Sequence, residues 1–236
     1  MAGRHETIYI ADDEKNIRDV VKLFMESEGY QVAAFENGDD LLAAYIKQPC
    51  DLVILDIVMP GSSGFTVCTE LRKLSTVPII MLTARDSDID YATGINLGSD
   101  DYFTKPFSAM SLVMRVKAIL RRIDYEKVSS DKHSINNLAY LDITLQVQNK
   151  LALIGGNAID LTPNEYNLLQ YLVENQDRAV SRDELLNKVW GYDSEVETRA
   201  ADDTVRRLRK KIAPSRVMID TIWGFGFRLK EREDRV

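Results

Sequence analysis

Apolar residues in the first half of the chain fall into short blocks separated by stretches of helical periodicity. Thr7–Ala11, Gln31–Ala34, Leu52–Leu55 and Pro78–Leu82 read as buried strands, and Asp101–Phe103 as a shorter fifth. Ile17, Val20, Val21 and Phe24 recur at helical spacing until Gly29 stops them. Phe65, Cys68 and Leu71 mark a later helix, and Leu112, Val116, Ile119 and Leu120 a last one. Strands alternating with helices predict a doubly wound α/β domain, a five-stranded parallel sheet with right-handed crossovers. This domain takes residues 1–123. Residues 124–136 lack apolar periodicity and read as a linker.

The pattern changes in residues 137–236. Leu138 to Leu161 alternates apolar and polar positions around Asn149-Lys150 and Gly155-Gly156-Asn157, which predicts a small antiparallel sheet. Thr162-Pro163-Asn164-Glu165 and Ser181-Arg182-Asp183-Glu184 both read as capping boxes that open helices. A third helix is expected from about Thr198 to Ile212, its apolar stripe made by Ala201, Val205, Leu208 and Ile212, with Pro214 beyond it. Two terminal apolar runs, Val217–Ile219 and Phe225–Leu229, bend near Gly224 and Gly226. Helices followed by a hairpin predict a winged helix-turn-helix, an α+β domain.

Composition narrows the class without naming it. The 236 residues are 45% hydrophobic and 28% charged, enough for two cores and too apolar for a disordered chain. Cys50 and Cys68 cannot make a disulfide framework, nor a four-ligand zinc site without both histidines, His5 and His133. No segment approaches a membrane span, and the opening MAGRHETIYIADDE meets acid too early for a secretory leader. A cytoplasmic chain that contacts no membrane is expected. The formal charge of −7 argues against nucleic acid as a partner.

Ligand sites in doubly wound sheets lie at the carboxyl ends of the strands. Those ends carry Asp12 and Asp13 after strand 1, Asp56 after strand 3, Thr83 after strand 4 and Lys105 after strand 5. Each alone has an ordinary reading: a helix cap or solvated turn, a loop hydroxyl, a surface lysine. Together they form a chemical set. Three converging carboxylates repel, and a hard divalent cation with oxygen ligands relieves that repulsion; Mg²⁺ suits a site that also holds phosphate. Thr83 and Lys105 offer a hydroxyl and a cation to phosphate oxygens. The set describes phosphoryl transfer to a carboxylate nucleophile.

These residues sit in motifs that resemble the receiver domain of two-component response regulators: Asp12-Asp13-Glu14, Leu55-Asp56 followed by Met59-Pro60-Gly61, Leu82-Thr83-Ala84-Arg85, and Gly98 to Phe107. The receiver fold is flavodoxin-like, and the second half is similar to the effector domain of the OmpR/PhoB-type family. The resemblance implies that Asp56 takes a phosphoryl group from a sensor histidine kinase. It implies Mg²⁺ on Asp13, Asp56 and the backbone carbonyl of Val58, with Asp12 acting partly through water. Thr83 and Tyr102 become a switch pair, the hydroxyl moving to phosphate and the ring turning inward. Lys105-Pro106 is expected to be cis. The residues that flank an attacking water are Val58 and Arg85, neither of them able to orient it as a base does, so self-dephosphorylation is expected to be slow.

The family pairs its receivers through the fourth helix, fifth strand and fifth helix. Asp101 with Arg115 and Asp100 with Arg122 fit its salt bridges; Tyr91 and Ser111 stand where a third pair is usual. A homodimer formed on phosphorylation is thus implied, one ion pair short.

In the third helix of the second domain, Arg199, Arg206, Arg209 and Lys210 share a side opposite the apolar stripe, as a helix in the major groove requires. The carried-over contact positions on promoter DNA are Arg199, Thr204, Arg206, Arg207 and Arg209. At the wing tip the family often has Arg, where this chain has Trp223, which lacks the charge that seeks a narrow groove. Gly191 to Glu197 corresponds to the loop that contacts RNA polymerase.

The leading expectation is therefore a phosphorylation-controlled transcriptional regulator, not an enzyme beyond its own phosphorylation and dephosphorylation. A Mg²⁺-dependent phosphatase of the haloacid dehalogenase type would want an acid where Val58 stands. A DNA-binding protein indifferent to phosphorylation would lack pocket acids, and all are present. Charge also reads differently by region: residues 1–123 hold 13 basic and 18 acidic side chains, and residues 124–236 hold 17 and 19. Six of those 17 cations lie between Arg199 and Lys211, a local stripe that suits a phosphate backbone.

Overall fold

All five apolar blocks of the N-terminal half become strands: β1 (Thr7–Ala11), β2 (Gln31–Phe35), β3 (Leu52–Asp56), β4 (Ile79–Ala84) and β5 (Asp101–Lys105). They are seen in a computed structural model that describes residues 6–84, 98–129, 137–192 and 200–232. The strands form one parallel sheet in the order β2-β1-β3-β4-β5. The middle strand β3 is buried at every position, as a sheet covered on both faces demands. That is why its sequence shows no alternation.

Helices α1 (Lys15–Ser27), α2 (Gly38–Lys47), α3 (Gly64–Leu74) and α4 (Ala109–Ser129) belong to this sheet's sequence. The inward face of α1 is rotated from the one expected. Val20 is exposed, while Val21, Met25 and the polar Arg18 are buried. Helix α2 carries only a short apolar pattern; Asn37 caps it by accepting from the Asp40 amide, and Leu41 and Tyr45 turn into the core. Helix α4 runs through residues 124–129, which were expected to begin the linker. No Gly or Pro interrupts it from Ala109 onward, so the helix propagates past the end of its apolar stripe.

The chain divides into two compact units after Leu120. In the second, β6 (Leu138–Tyr140), β7 (Ile143–Gln146), β8 (Leu151–Ile154) and β9 (Asn157–Ile159) form an antiparallel meander. Three helical segments follow. They are α5 (Pro163–Glu174), α6 (Arg182–Leu185, continued by a π-helical turn over Leu186–Trp190) and α7 (Ala200–Lys211). Strands β11 (Val217–Ile222) and β12 (Gly226–Glu231) make the wing, and β10 (Val180–Ser181) pairs with β12 at its other edge. Gly226 permits that pairing: a Cβ there would lie 2.0 Å from the Val180 carbonyl oxygen.

The first capping box is complete, with Thr162 and Glu165 exchanging both bonds. The second is half formed. Ser181 Oγ accepts from the Glu184 amide at 3.1 Å, but the Glu184 carboxylate goes to Tyr171 Oη and Arg178. Arg178, then Tyr171, hold its pKa down at about 2. Among the described residues no helix is long and apolar enough to cross a membrane.

Candidate metal centre and nucleic-acid interface

Parallel pairing in register brings the strand ends of the first unit side by side. Asp56 stands opposite Leu82, and Ala84 opposite Lys105, so Asp56, Thr83 and Lys105 meet on neighbouring strands. Asp12 and Asp13 follow β1, which pairs with β3. Lys105 Nζ lies 2.9 Å from Asp12 Oδ2, 3.0 Å from Asp56 Oδ2 and 3.2 Å from Glu14 Oε1. The Lys105–Pro106 bond is cis. Helix α3 begins directly against the site, where a Cβ on Gly64 would come 2.1 Å from the Asp56 carbonyl oxygen.

One carboxylate oxygen from each of Asp12, Asp13 and Asp56 falls within 4.8 Å of the others. Asp12 and Asp56 are buried and Asp13 is exposed. Burial raises the Asp56 pKa to about 6; Lys105 opposes the rise and the Asp12 charge adds to it. Burial also raises Asp12, against Lys105 and the Glu14 amide. The Lys105 ammonium is disfavoured by burial, but its bonds to Asp12 and Asp56 outweigh that and raise its pKa. Hard oxygen donors carrying more negative charge than one lysine balances suit a divalent cation such as Mg²⁺. The donor set fits.

Thr83 is buried on β4. Its neighbour Leu82 accepts at its carbonyl from the Ile57 amide, one residue beyond Asp56. Tyr102 is half-buried against the core around Leu55 and Met81. Val58 is exposed beside the site. Arg85 and Tyr91 lie outside the described residues. The sequence reading missed two supports of this site. Asp39, on α2, accepts from the Ser62 amide at 3.2 Å and lies against Gly61, which adopts φ +79° in the loop after β3. Arg18 bonds to the backbone of Asp12 and Asp13.

The charges assigned to a dimer face hold partners within the chain. Asp100 Oδ2 accepts from Arg72 Nη2 at 2.7 Å and from the Ile79 amide at 2.9 Å. Asp101 pairs with Arg115, whose guanidinium lies 4.8 Å from the centre of the Phe103 ring. Arg122 lies further along α4.

In the second unit, Ala201, Val205, Leu208 and Ile212 are buried as expected. Two of the contact positions implied by the resemblance, Arg207 and Thr204, are turned inward. Arg207 is 4% exposed, its Nε donating to Glu165 Oε1 at 3.1 Å and its Nη2 to Thr204 Oγ1 at 3.0 Å, and Thr204 is buried with it. A buried carboxylate on α5 holds the guanidinium there, which the sequence of α7 alone does not disclose. Arg206 and Lys210 are exposed one helical turn apart. Arg209 is exposed too, and it ties α7 to the wing by donating to the Ile219 carbonyl and Thr221 Oγ1. Trp223, at the wing tip, is 91% exposed. Arg199 and residues 193–197 of the loop lie outside the described residues; Tyr192, in the same loop, is buried.

Residues 8–117 match the response regulator receiver domain family, and residues 156–229 match the family of the C-terminal domain of transcriptional regulatory proteins. The chain is similar to a solved cysteine-to-serine mutant of RitR at 25% identity, covering 96% of this chain and 99% of that one, with a TM-score of 0.75. It is also similar to DrrB of Thermotoga maritima, described as an OmpR/PhoB homologue. There the identity is 29%, the coverage 96% of this chain and 100% of that one, and the TM-score 0.51.

Proposed function

Because this chain belongs to the two-component response regulators of the OmpR/PhoB type, we propose that Asp56 is its phosphoacceptor and that α7 and the wing are its contacts with promoter DNA. The membership itself implies transcription regulated by phosphorylation, with a sensor kinase and DNA as partners. The observation that carries the proposal is Lys105 Nζ, 3.0 Å from Asp56 and 2.9 Å from Asp12 beside a third carboxylate.

In the transfer, a carboxylate oxygen of Asp56 attacks phosphorus of the kinase phosphohistidine; the P–N bond breaks and its electron pair returns to the imidazole. Lys105 and the Thr83 hydroxyl are placed to take phosphate oxygens. Asp13, Asp56 and the Val58 carbonyl, with help from Asp12, would hold Mg²⁺, which would supply charge to offset the phosphate's own. Thr83 moving toward the phosphate leaves room for the Tyr102 ring, and this shift biases the receiver toward a pairing state. Pairing through Asp100, Asp101, Arg115 and Arg122 requires Asp100 and Asp101 to exchange or share the arginines they already hold. Two winged helices then occupy tandem half-sites, the loop from Gly191 to Glu197 meeting RNA polymerase, in the cytoplasm.

Incubation with acetyl phosphate and Mg²⁺ tests the phosphoacceptor. The chain is expected to gain one phosphoryl group, measured by intact mass, and Asp56→Asn to gain none. Labelling that survives Asp56→Asn defeats the assignment. With Val58 and Arg85 as the flanking residues, the label is expected to persist for many minutes; loss within seconds contradicts slow self-dephosphorylation.

On DNA, we assign backbone and base contacts to Arg199, Arg206 and Arg209, with Lys210 on the same side. Trp223 approaches sugar without adding charge. Trp223→Arg is expected to tighten binding in a gel shift several-fold, more so at low salt, with little change in site preference. Weaker binding by this variant contradicts the placement of the wing tip.

A further inference from the structure

Arg18 is a charged residue on the inward face of α1, and its side chain does not pair primarily with another side chain. Nη1 donates to two successive backbone carbonyls, Asp12 at 2.7 Å and Asp13 at 2.9 Å. Nη2 donates to Glu36 Oε1 at 2.8 Å. The guanidinium is buried, whereas Glu36 is largely exposed. An exposed carboxylate contributes little to holding a buried cation. The two carbonyls are therefore its main partners.

Those carbonyls belong to the two residues whose side chains enter the acidic pocket. The direction of each carboxylate follows from the backbone that carries it, and Asp12 and Asp13 sit in a short turn between β1 and α1. Asp12 Oδ1 is already engaged by the Glu14 amide at 2.9 Å, and the Asp12 amide reaches the Phe35 carbonyl at 3.3 Å. Arg18 completes this framework: the two N–H bonds of Nη1 hold both carbonyls, and the planar guanidinium fixes where they point. Its positive charge also lies behind a turn that gathers negative charge.

We propose that Arg18 is a positioning residue for the metal pocket: by clamping the Asp12 and Asp13 carbonyls it presents both carboxylates to one divalent cation. The inference rests on the assignment of Asp12, Asp13 and Asp56 as cation ligands. Groups that orient metal ligands from behind typically change metal affinity about 10- to 100-fold when removed.

Calorimetric titration of the full chain with Mg²⁺ tests it. Arg18→Met is expected to weaken Mg²⁺ binding by about 10-fold or more while the circular dichroism spectrum stays that of the parent. Arg18→Lys keeps the charge and donors on one nitrogen but lacks the planar group that fixes their direction, and is expected to fall between them. Glu36→Gln is expected to bind Mg²⁺ like the parent. Unchanged affinity in a folded Arg18→Met overturns the proposal. If that variant does not fold, parental affinity in Arg18→Lys overturns it instead. Loss of affinity in Glu36→Gln equal to that in Arg18→Lys also overturns it, since Glu36 and not the carbonyl clamp would then be responsible. A parent chain that binds no Mg²⁺ defeats the ligand assignment and the inference with it.

Discussion

Glu165→Ala is expected to lose the DNA-binding unit's stability by about 3–5 kcal/mol, the range for removing one member of a buried charge cluster. The single carboxylate performs three tasks. It accepts from the Thr162 amide at 2.9 Å to complete the cap of α5, from Arg207 Nε at 3.1 Å, and from Lys211 Nζ at 2.7 Å. It is wholly buried, and Arg207 nearly so. Removing it takes from the buried guanidinium the carboxylate that accepts from its Nε, and frees one end of α5. Most small domains hold only about 5–15 kcal/mol, so this loss takes a large share.

Both tryptophans, Trp190 and Trp223, lie in the second unit, and Trp190 is fully buried. Denaturant unfolding followed by tryptophan fluorescence therefore reports that unit. Glu165→Ala is expected to shift the midpoint far down and abolish DNA binding, while acetyl phosphate labelling of Asp56 persists. Glu165→Gln keeps an acceptor but loses the charge, and is expected to fall between. An unchanged midpoint in Glu165→Ala removes the buried cluster from any account of this unit.

Asp56→Asn is expected to do the reverse in the first unit and stabilise it. Burial holds the Asp56 pKa at about 6, against an ordinary 3.8. The folded chain binds this proton more tightly than the unfolded chain does. The carboxyl therefore favours folding below pH about 4 and loses that contribution as the pH rises through about 6. At pH 8, without Mg²⁺, the ionised group opposes folding by on the order of 2–3 kcal/mol, which the amide removes. Melting in the presence of a chelator is expected to show Asp56→Asn higher by about 8–24 °C at pH 8, at roughly 4–8 °C per kcal/mol for a domain of about this size. Near pH 4 the two proteins converge. Mg²⁺ is expected to raise the parent and to leave the variant nearly unmoved. A variant less stable than the parent at pH 8 contradicts the strained, charge-rich pocket.

The pocket was legible because its residues sit at strand ends, and strand ends follow from apolar blocks. Once Asp12, Asp13, Asp56, Thr83 and Lys105 were each assigned to such an end, parallel pairing left them little choice but to meet. The supports behind the pocket were not legible. Arg18 and Asp39 act on backbone groups of other segments, and no periodicity in their own helices marks which segment that will be. The same holds for α7. Its apolar stripe is buried as the period predicts, but Arg207, a contact position implied by the resemblance, is drawn inside by Glu165 on α5.

Local chemistry thus determined the alternation of strands and helices, the winged-helix order, the first capping box and the set of pocket acids, since each depends on neighbours in sequence or on burial alone. Tertiary structure decided which face of α1 is inward and which arginines are committed to the interior. It also decided which partners Asp100 and Asp101 hold. Those outcomes depend on charges and carbonyls in other segments of the chain. A side chain's own sequence context records its preference for water or core, and the fold supplies the partner that overrides it.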